Sequence, residues 1–496
     1  MEKILIGKGK SENSILLNKV NRHGLISGAT GTGKTVTLKV LTEGLSDAGV
    51  PTILADVKGD LANISKPGEI NDKLQERLNE LGISNFEFKN YPVNMWDVYG
   101  EKGIPLRVTV SEMGPLMLSK ILDLNDTQMG VLNIIFKVAD SEGLLLIDLK
   151  DLKQVINFVN DNRDEISKNY GNVASQSLSA ISRKLLFIED AGGDLFFGEP
   201  AIDINDLVRT DASGRGIVNI LNASKLISNP LLYSMLLLYL LSEIYENFSE
   251  VGDLDKPKLV FFFDEAHLLF NNTPSVLKDK IIQVVRLVRS KGVGVFFITQ
   301  NPLDVPEEVS SQLSNRIVHQ LRAYSPKELK AINAVANTFR QDDSMDLKEE
   351  IINLRTGEAI VSFADESGAP TLADKALILS PHSSFATLND SEYRNLVESS
   401  NIYSKYKNSV DRESAYEVLI KRIENEKIQE EREKLEEEKR KEMEKREKEL
   451  EKERKSSSHK QKSYIDKGID SMLGTITRSI GREIARGILG SMKKRR

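Results

Sequence analysis

The chain has 496 residues, 40% hydrophobic and 29% charged, with a formal net charge of −6 and no cysteine. That length exceeds one ordinary domain and the apolar share supplies a sizeable core, while the absence of Cys excludes disulfides and thiolate metal sites. The acidic balance leaves any nucleic-acid contact to a local patch. The first residues and the most apolar stretch, 231–241, fall short of a signal peptide and of the roughly 20 residues a membrane span needs, so a cytoplasmic protein is expected.

Residues 4–6 and 14–17 are short apolar runs that predict a small hairpin. Residues 23–27 predict a strand, and Val36 to Leu41 carry apolar residues at helical spacing. Between them Gly28, Ala29, Thr30, Gly31, Thr32, Gly33, Lys34 and Thr35 match G-x-x-x-x-G-K-[ST], the phosphate-binding P-loop. Strand, glycine loop and helix are the context in which this motif works. Glycines let backbone N–H groups face the phosphates, and the helix N-terminus running into Val36 adds its partial positive charge. Lys34 is expected on the β- and γ-phosphates of ATP, and the Thr35 hydroxyl on Mg²⁺. Gly49 then stops the helix, and residues 52–55 predict a buried strand ending in Asp56. Ligands in open α/β sheets sit at the carboxyl ends of strands, so Asp56 is expected in the nucleotide shell.

Residues 95–255 interrupt the strand–helix rhythm and predict a mostly helical insertion. Within it residues 106–110 and 216–221 keep strand character, residues 116–124, 129–139 and 177–187 are helical, and Asn229-Pro230 opens a long apolar helix through Tyr245. Trp96, the only tryptophan, is expected as a core anchor.

The sheet resumes at residues 258–263, which are followed by Asp264 and Glu265, the Walker B pattern. Asp264 is expected on Mg²⁺ and Glu265 on the attacking water. Residues 281–292 predict an amphipathic helix with a basic end and a glycine stop. Arg286, Arg289, Arg316 and Arg322 are candidates for an arginine reaching a neighbouring subunit's γ-phosphate, with Arg289 and Arg322 preferred. Residues 293–299 predict the next strand, and Gln300 at its end is placed to sense the γ-phosphate and the water. Strands are also predicted over 315–322, 358–363 and 375–379. The five histidines show no metal-ligand spacing and read as structural.

From about residue 411 the composition shifts. Residues 420–455 are almost all Glu, Lys and Arg, with Glu-to-Lys/Arg pairs at i,i+4 and sparse apolar residues such as Ile428, Leu435, Met443 and Leu450. One apolar residue per seven or eight predicts a solvated, extended helix, with coiled-coil pairing as the alternative. Beyond Ser456, residues 471–496 hold seven basic residues against Glu483, a basic amphipathic tail suited to DNA phosphates, an acidic protein surface or anionic lipid.

The expected architecture is therefore α/β. It is a RecA-like P-loop core with a mainly parallel sheet, split as residues 1–94 and 256–385 around the insertion at 95–255. A helical extension over 386–455 and the basic tail over 456–496 follow.

A P-loop, an Asp-Glu pair and a Gln on successive strands fit the additional-strand, catalytic-glutamate class of P-loop NTPases. Within it the chain resembles the HerA/FtsK group, and more closely the HerA-like family typified by YjgR. The matching stretches are 24–35, 54–61, 96–100, 107–115, 124–128, 193–201, 263–267, 299–302 and 482–490. The resemblance implies an ATPase that assembles as a homo-oligomer, a hexameric ring with ATP at subunit junctions, and DNA as the polymer moved. HerA proper carries a β-barrel ahead of its P-loop and FtsK carries membrane spans and a winged helix. With the P-loop reached by residue 28, neither is expected here. Asp264-Glu265-Ala266-His267 is also similar to DEAH-box helicases, but their arginine-rich motif in a second RecA-like domain is missing. The competing function is a nucleotide-gated scaffold whose charged helix and basic tail recruit partners or a membrane surface.

Overall fold

Short runs of apolar, β-rich residues recur between helices, and in the computed structural model they assemble into one sheet. The structure describes residues 2–252, 254–270, 275–341 and 345–457. Among these the strands are β1 (Lys3–Lys8), β2 (Glu12–Leu16), β3 (Gly24–Ser27), β4 (Thr52–Asp56), β5 (Val93–Asp97), β6 (Ile104–Pro105), β7 (Val218–Asn222), β8 (Leu259–Phe263), β9 (Val293–Thr299), β10 (Asn315–Val318), β11 (Glu358–Ser362) and β12 (Asp374–Ile378). Their order across the sheet is β2-β1-β12-β11-β10-β3-β9-β8-β4-β7-β5-β6. From β10 to β6 every pairing is parallel. From β10 to β2 every pairing is antiparallel.

The parallel half reads as continuous hydrophobic runs because helices cover both its faces. Every residue of β8 and of β9 is buried. Phe262 and Phe263 pack beside Phe296 and Phe297 at ring-centroid distances of 5.3 and 5.6 Å. Strand β9 lies between the P-loop strand β3 and the Walker B strand β8. It is the additional strand of the class to which the motifs pointed. Register aligns the carboxyl ends: Ser27 pairs with Thr299, Phe263 with Phe297, and Ala55 with Phe263. The residues that follow these ends therefore share one rim.

The hairpin forms as β1 and β2, and Gly49, at φ 71°, ends the P-loop helix Lys34–Asp47. Two expectations for residues 95–255 change. Residues 106–110 do not make a strand: Val108 alone bridges to Phe197. Thr109 instead accepts from the Glu112 N–H at 3.1 Å while Glu112 accepts from the Thr109 N–H at 3.3 Å. This reciprocal cap starts the helix Val110–Ile121 and prevails over the strand preference of the run. The second change is that this segment is no pure insertion, since β6 and β7 lie inside the main sheet. Helices Asp126–Glu142, Leu149–Asp161 and Ser175–Asp190 cluster as the helical part. The long apolar helix runs Pro230–Asn247, its Asn229 side chain accepting from the Leu232 N–H. Trp96 is 1% exposed and donates from Nε1 to Asn219 Oδ1 at 3.0 Å, as an anchor should. The strand expected over 315–322 stops at Val318.

The chain divides into two compact units, Met1–Ile420 and Lys421–Arg496. The second consists, where described, of the remainder of one helix, Ala415–Ser457. Lys441 pairs with Glu437 at 2.7 Å, and Lys434–Glu430 and Arg446–Glu442 are looser at 3.9 and 3.7 Å. Exposed pairs of this kind contribute roughly 0.2–0.5 kcal/mol each. Ile428, Leu435, Met443 and Leu450 are all exposed, as a solvated helix requires. The tail at 471–496, with its expected basic helix, lies outside the described residues.

Candidate active site

The P-loop leaves β3 at Ser27 and enters its helix at Lys34. Gly31 and Gly33 take φ of 80° and 121°, in the region that side chains avoid. A Cβ at Gly28 would stand 2.6 Å from the His319 Cβ and 2.8 Å from the Thr32 hydroxyl, so this position accepts nothing larger. His319 is buried between Thr37 and the Glu358 carbonyl, 2.8 Å from each. Burial pushes its pKa down to about 4, and it stays a neutral brace under the loop. His23 is likewise held near 4 by burial, with Arg289 adding to the effect, and accepts from the Val295 N–H. These two histidines are structural, as the sequence suggested.

Lys34 is buried, and its ammonium donates to the Gly28 and Ala29 carbonyls at 2.5 and 3.0 Å. Burial lowers its pKa to about 8, with Lys58 adding and Glu265 and Asp264 opposing. A buried cation resting on loop carbonyls is a donor that fits polyphosphate. Thr35 and Val36 begin the helix half-buried.

Asp264 and Glu265 follow β8 directly. Burial raises Asp264 to about 6, Lys58 opposing and Glu265 adding. Glu265 is 5% exposed and adopts φ 48°. A left-handed non-glycine residue costs on the order of 1–3 kcal/mol and concentrates at functional sites. The turn aims the carboxylate back along the rim. Gln300 Nε2 donates to its two oxygens at 3.3 and 3.4 Å. The Gln300 Oε1 in turn accepts from the Thr30 hydroxyl at 3.1 Å. One chain of hydrogen bonds thus runs from P-loop to Gln300 to Glu265, which is the geometry that placing β9 between β3 and β8 makes available. An oxygen pair from Thr35 and Asp264 suits Mg²⁺ by its hard-ligand chemistry.

The other expected residues make contacts of their own. Asp56 is 1% exposed, and its two oxygens accept from the Gly59 and Leu61 N–H groups at 2.7 and 3.0 Å. Burial raises it to about 6. Its carboxylate shapes the loop over residues 57–61, and the charge of Asp264 also reaches it. Arg322 lines a cavity of about 360 Å³ with Ala29, Thr30 and Gln300, beside its own P-loop. Arg316 is tied to the Leu313 and Ser310 carbonyls, and Arg286 to that of Glu308. Arg289 acts on His23, at the amino end of β3 and away from its own site.

Three further residues gather around Glu265, and one of them, His267, departs from the expectation that all five histidines are structural. Lys58 sits 3.3 Å from Glu265 Oε1. Burial lowers its pKa, but the charges of Asp264 and Glu265 outweigh this and hold it above the usual lysine range. His267 Nδ1 lies 3.4 Å from Glu265 Oε2, so this histidine belongs to the site. The buried Tyr233 hydroxyl feels both carboxylates, which with burial push its pKa up, and has no partner among the described residues. The Asp-Glu-x-His spacing pointed to His267. Nothing local marked Tyr233, which arrives from another helix.

The sheet order and this rim define a RecA-like P-loop core. The chain belongs to the family described as Helicase HerA-like C-terminal, whose model matches residues 2–496. It is 24% identical over 359 residues to the DNA double-strand break repair helicase HerA of Sulfolobus acidocaldarius. It is 25% identical over 368 residues to that of Sulfurisphaera tokodaii. In both cases the match takes 71% of this chain and 64% of the relative's length. Among solved structures, the bacterial conjugative coupling protein TrwBdeltaN70 shares the fold, with a TM-score of 0.54 at 15% identity over 78% of this chain and 92% of that one. TrwB in complex with the GTP analogue GDPNP gives 0.53 at 15%, over 79% and 93%. Among the described residues no helix is long and apolar enough to cross a membrane.

Proposed function

We propose that this protein is a cytoplasmic, Mg²⁺-dependent ATPase motor that acts on DNA as a hexameric ring. The observation that carries the reading is the hydrogen-bonded chain from Thr30 through Gln300 to Glu265. In this reading the backbone of residues 28–36 and Lys34 hold the phosphates of ATP, while Thr35 and Asp264 hold Mg²⁺. The metal, when bound, neutralises charge developing on the phosphate oxygens. Glu265 accepts the proton of the water that attacks the γ-phosphorus as the bond to the β-phosphate oxygen breaks. Gln300 reports the phosphate state to the P-loop. Arg289, distant from its own site, is the arginine offered to the next subunit. Arg322 acts at its own P-loop. The similarity to the DNA double-strand break repair helicases HerA supports DNA as the polymer.

Glu265→Gln is expected to abolish turnover while ATP still binds, and Lys34→Ala to abolish both. Normal hydrolysis by Glu265→Gln would sink the assignment. A second reading, a nucleotide-gated scaffold, draws support from the exposed charged helix Ala415–Ser457. ATPase rates with duplex DNA over a salt series separate the two. Stimulation that fades steeply with salt marks the motor; no response to DNA at low salt, with stimulation by anionic liposomes instead, marks the scaffold.

A further inference from the structure

Glu265 is not free to meet water. Lys58, Gln300 and His267 all approach its two oxygens at 3.3–3.4 Å. A carboxylate offers about four acceptor sites, so Lys58 and Gln300 as donors, with His267 alongside, crowd the positions that an attacking water needs. Lys58 also faces a second cavity. Its side chain is 42% exposed. With Gly59 it lines a cavity of about 570 Å³ at the carboxyl ends of β4, β5 and β7, walled also by Lys102, Asn222, Tyr393 and Arg394. Lys407 faces it too, as do Glu101, Asp390 and Glu398. Glu101 is already paired with Lys225. Among the described residues the charged ends of Lys102, Arg394 and Lys407 make no ion pair, and neither do Asp390 and Glu398, so the unpaired cations of the cavity outnumber its unpaired carboxylates by one. The loop that carries Lys58 is set by Asp56, through Gly59 and Leu61, and Gly59 turns at φ 75°. The backbone is therefore fixed, while the long lysine stem can swing between two anions.

We propose that Lys58 is a latch on Glu265, which the phosphate backbone of DNA entering the adjoining cavity draws off, freeing the carboxylate to take the water's proton. The proposal rests on the motor reading for its ligand and makes Lys58 a positioning residue. It gives a physical route by which polymer binding starts hydrolysis. An empty cavity leaves the base capped, and a phosphate in the cavity competes for the same ammonium.

The test uses the full chain and steady-state ATPase assays with and without duplex DNA, with inorganic phosphate at equal phosphate concentration as a second arm. Lys58→Met should raise kcat without DNA by roughly fivefold, about 1 kcal/mol for a half-exposed pair, with KM unchanged. Its further stimulation by DNA should fall toward none. Lys58→Arg keeps the ion pair and should restore the low basal rate and the stimulation. Arg394→Glu should raise the half-saturating DNA concentration roughly threefold or more and flatten its salt dependence. Phosphate alone should stimulate little; stimulation equal to that by DNA would overturn the polymer as the trigger. A Lys58→Met variant that folds, judged by its thermal melt, and hydrolyses no faster than wild type without DNA would overturn the latch. If the wild type hydrolyses ATP but ignores DNA, the motor reading fails, and the basal rate of Lys58→Met decides the latch by itself.

Discussion

Lys34 carries a pH dependence whose sign follows from its surroundings. Burial lowers its pKa to about 8, so above that pH much of it is neutral. Phosphate binding favours the ammonium and raises the pKa, so binding above pH 8 takes up a proton. Nucleotide affinity is therefore expected to fall as pH rises past about 8, by up to tenfold per unit. A fluorescent ATP analogue titrated at pH 7 and pH 9 measures this; equal affinities would contradict it. Gly28 answers to sterics. An alanine there must displace His319 and Thr32, so Gly28→Ala is expected to abolish nucleotide binding and to lower stability by about 1–3 kcal/mol, measured by urea unfolding. Both residues stand in a contiguous motif, which is why their place between a strand and a helix was legible in the sequence. Asp56 was not legible in the same way. Its position at a strand end suggested a ligand, but the N–H groups that claim it belong to a turn whose shape the sequence does not spell out. Lys58 meets Glu265 from the loop after β4, and Tyr233 feels its charge from the helix Pro230–Asn247, and no local pattern reports such convergence.

At the scale of elements, apolar runs and caps carried most of the information. β8 and β9 are hydrophobic throughout because both faces are covered, and that composition alone marked them as central. Phe262→Ala is expected to cost about 3–5 kcal/mol, since Phe262 is 1% exposed and packs on Phe296. A shift in the urea midpoint, with the slope unchanged, measures it. The same loss should weaken hydrolysis more than ATP binding, because Glu265 hangs from this strand while the P-loop hangs from β3. Residues 106–110 went the other way. Their β-branched character suggested a strand, but Thr109 and Glu112 close a reciprocal cap, and the helix prevails. The membership of β7 in the sheet could not be read locally. Strand order is set by which edges meet across more than a hundred residues, and a helical stretch between two strands reads alike as insertion or crossover.

In the ring proposed above, Arg289 would act on a neighbouring subunit rather than on its own chain. Arg289 lies toward the amino end of β3, and the nucleotide rim lies at the carboxyl end. A head-to-tail ring brings opposite ends of neighbouring subunits together, so an arginine remote from its own site is suited to serve the next. The consequence is a complementation. Arg289→Ala keeps an intact P-loop and lacks the arginine, whereas Lys34→Ala keeps the arginine and lacks the P-loop. Each variant alone should be nearly inactive, an arginine in trans being worth about 10³–10⁵ in rate. After mixing in equal amounts with subunit exchange, half of the subunits offer a working P-loop. Half of their neighbours offer the arginine, so about a quarter of junctions regain both parts and about a quarter of the wild-type rate should return. Mixing Arg289→Ala with Glu265→Gln should recover activity by the same arithmetic, because Glu265 and Lys34 belong to one half-site. Substituting Arg322→Ala for Arg289→Ala should give no recovery with Lys34→Ala beyond the activity Arg322→Ala shows alone, since Arg322 lines its own P-loop cavity. Recovery with Arg322→Ala and none with Arg289→Ala would reverse the two assignments while leaving the ring in place. No recovery in either mixture, with subunit exchange verified by native mass spectrometry, would mean that each chain hydrolyses ATP with its own residues alone.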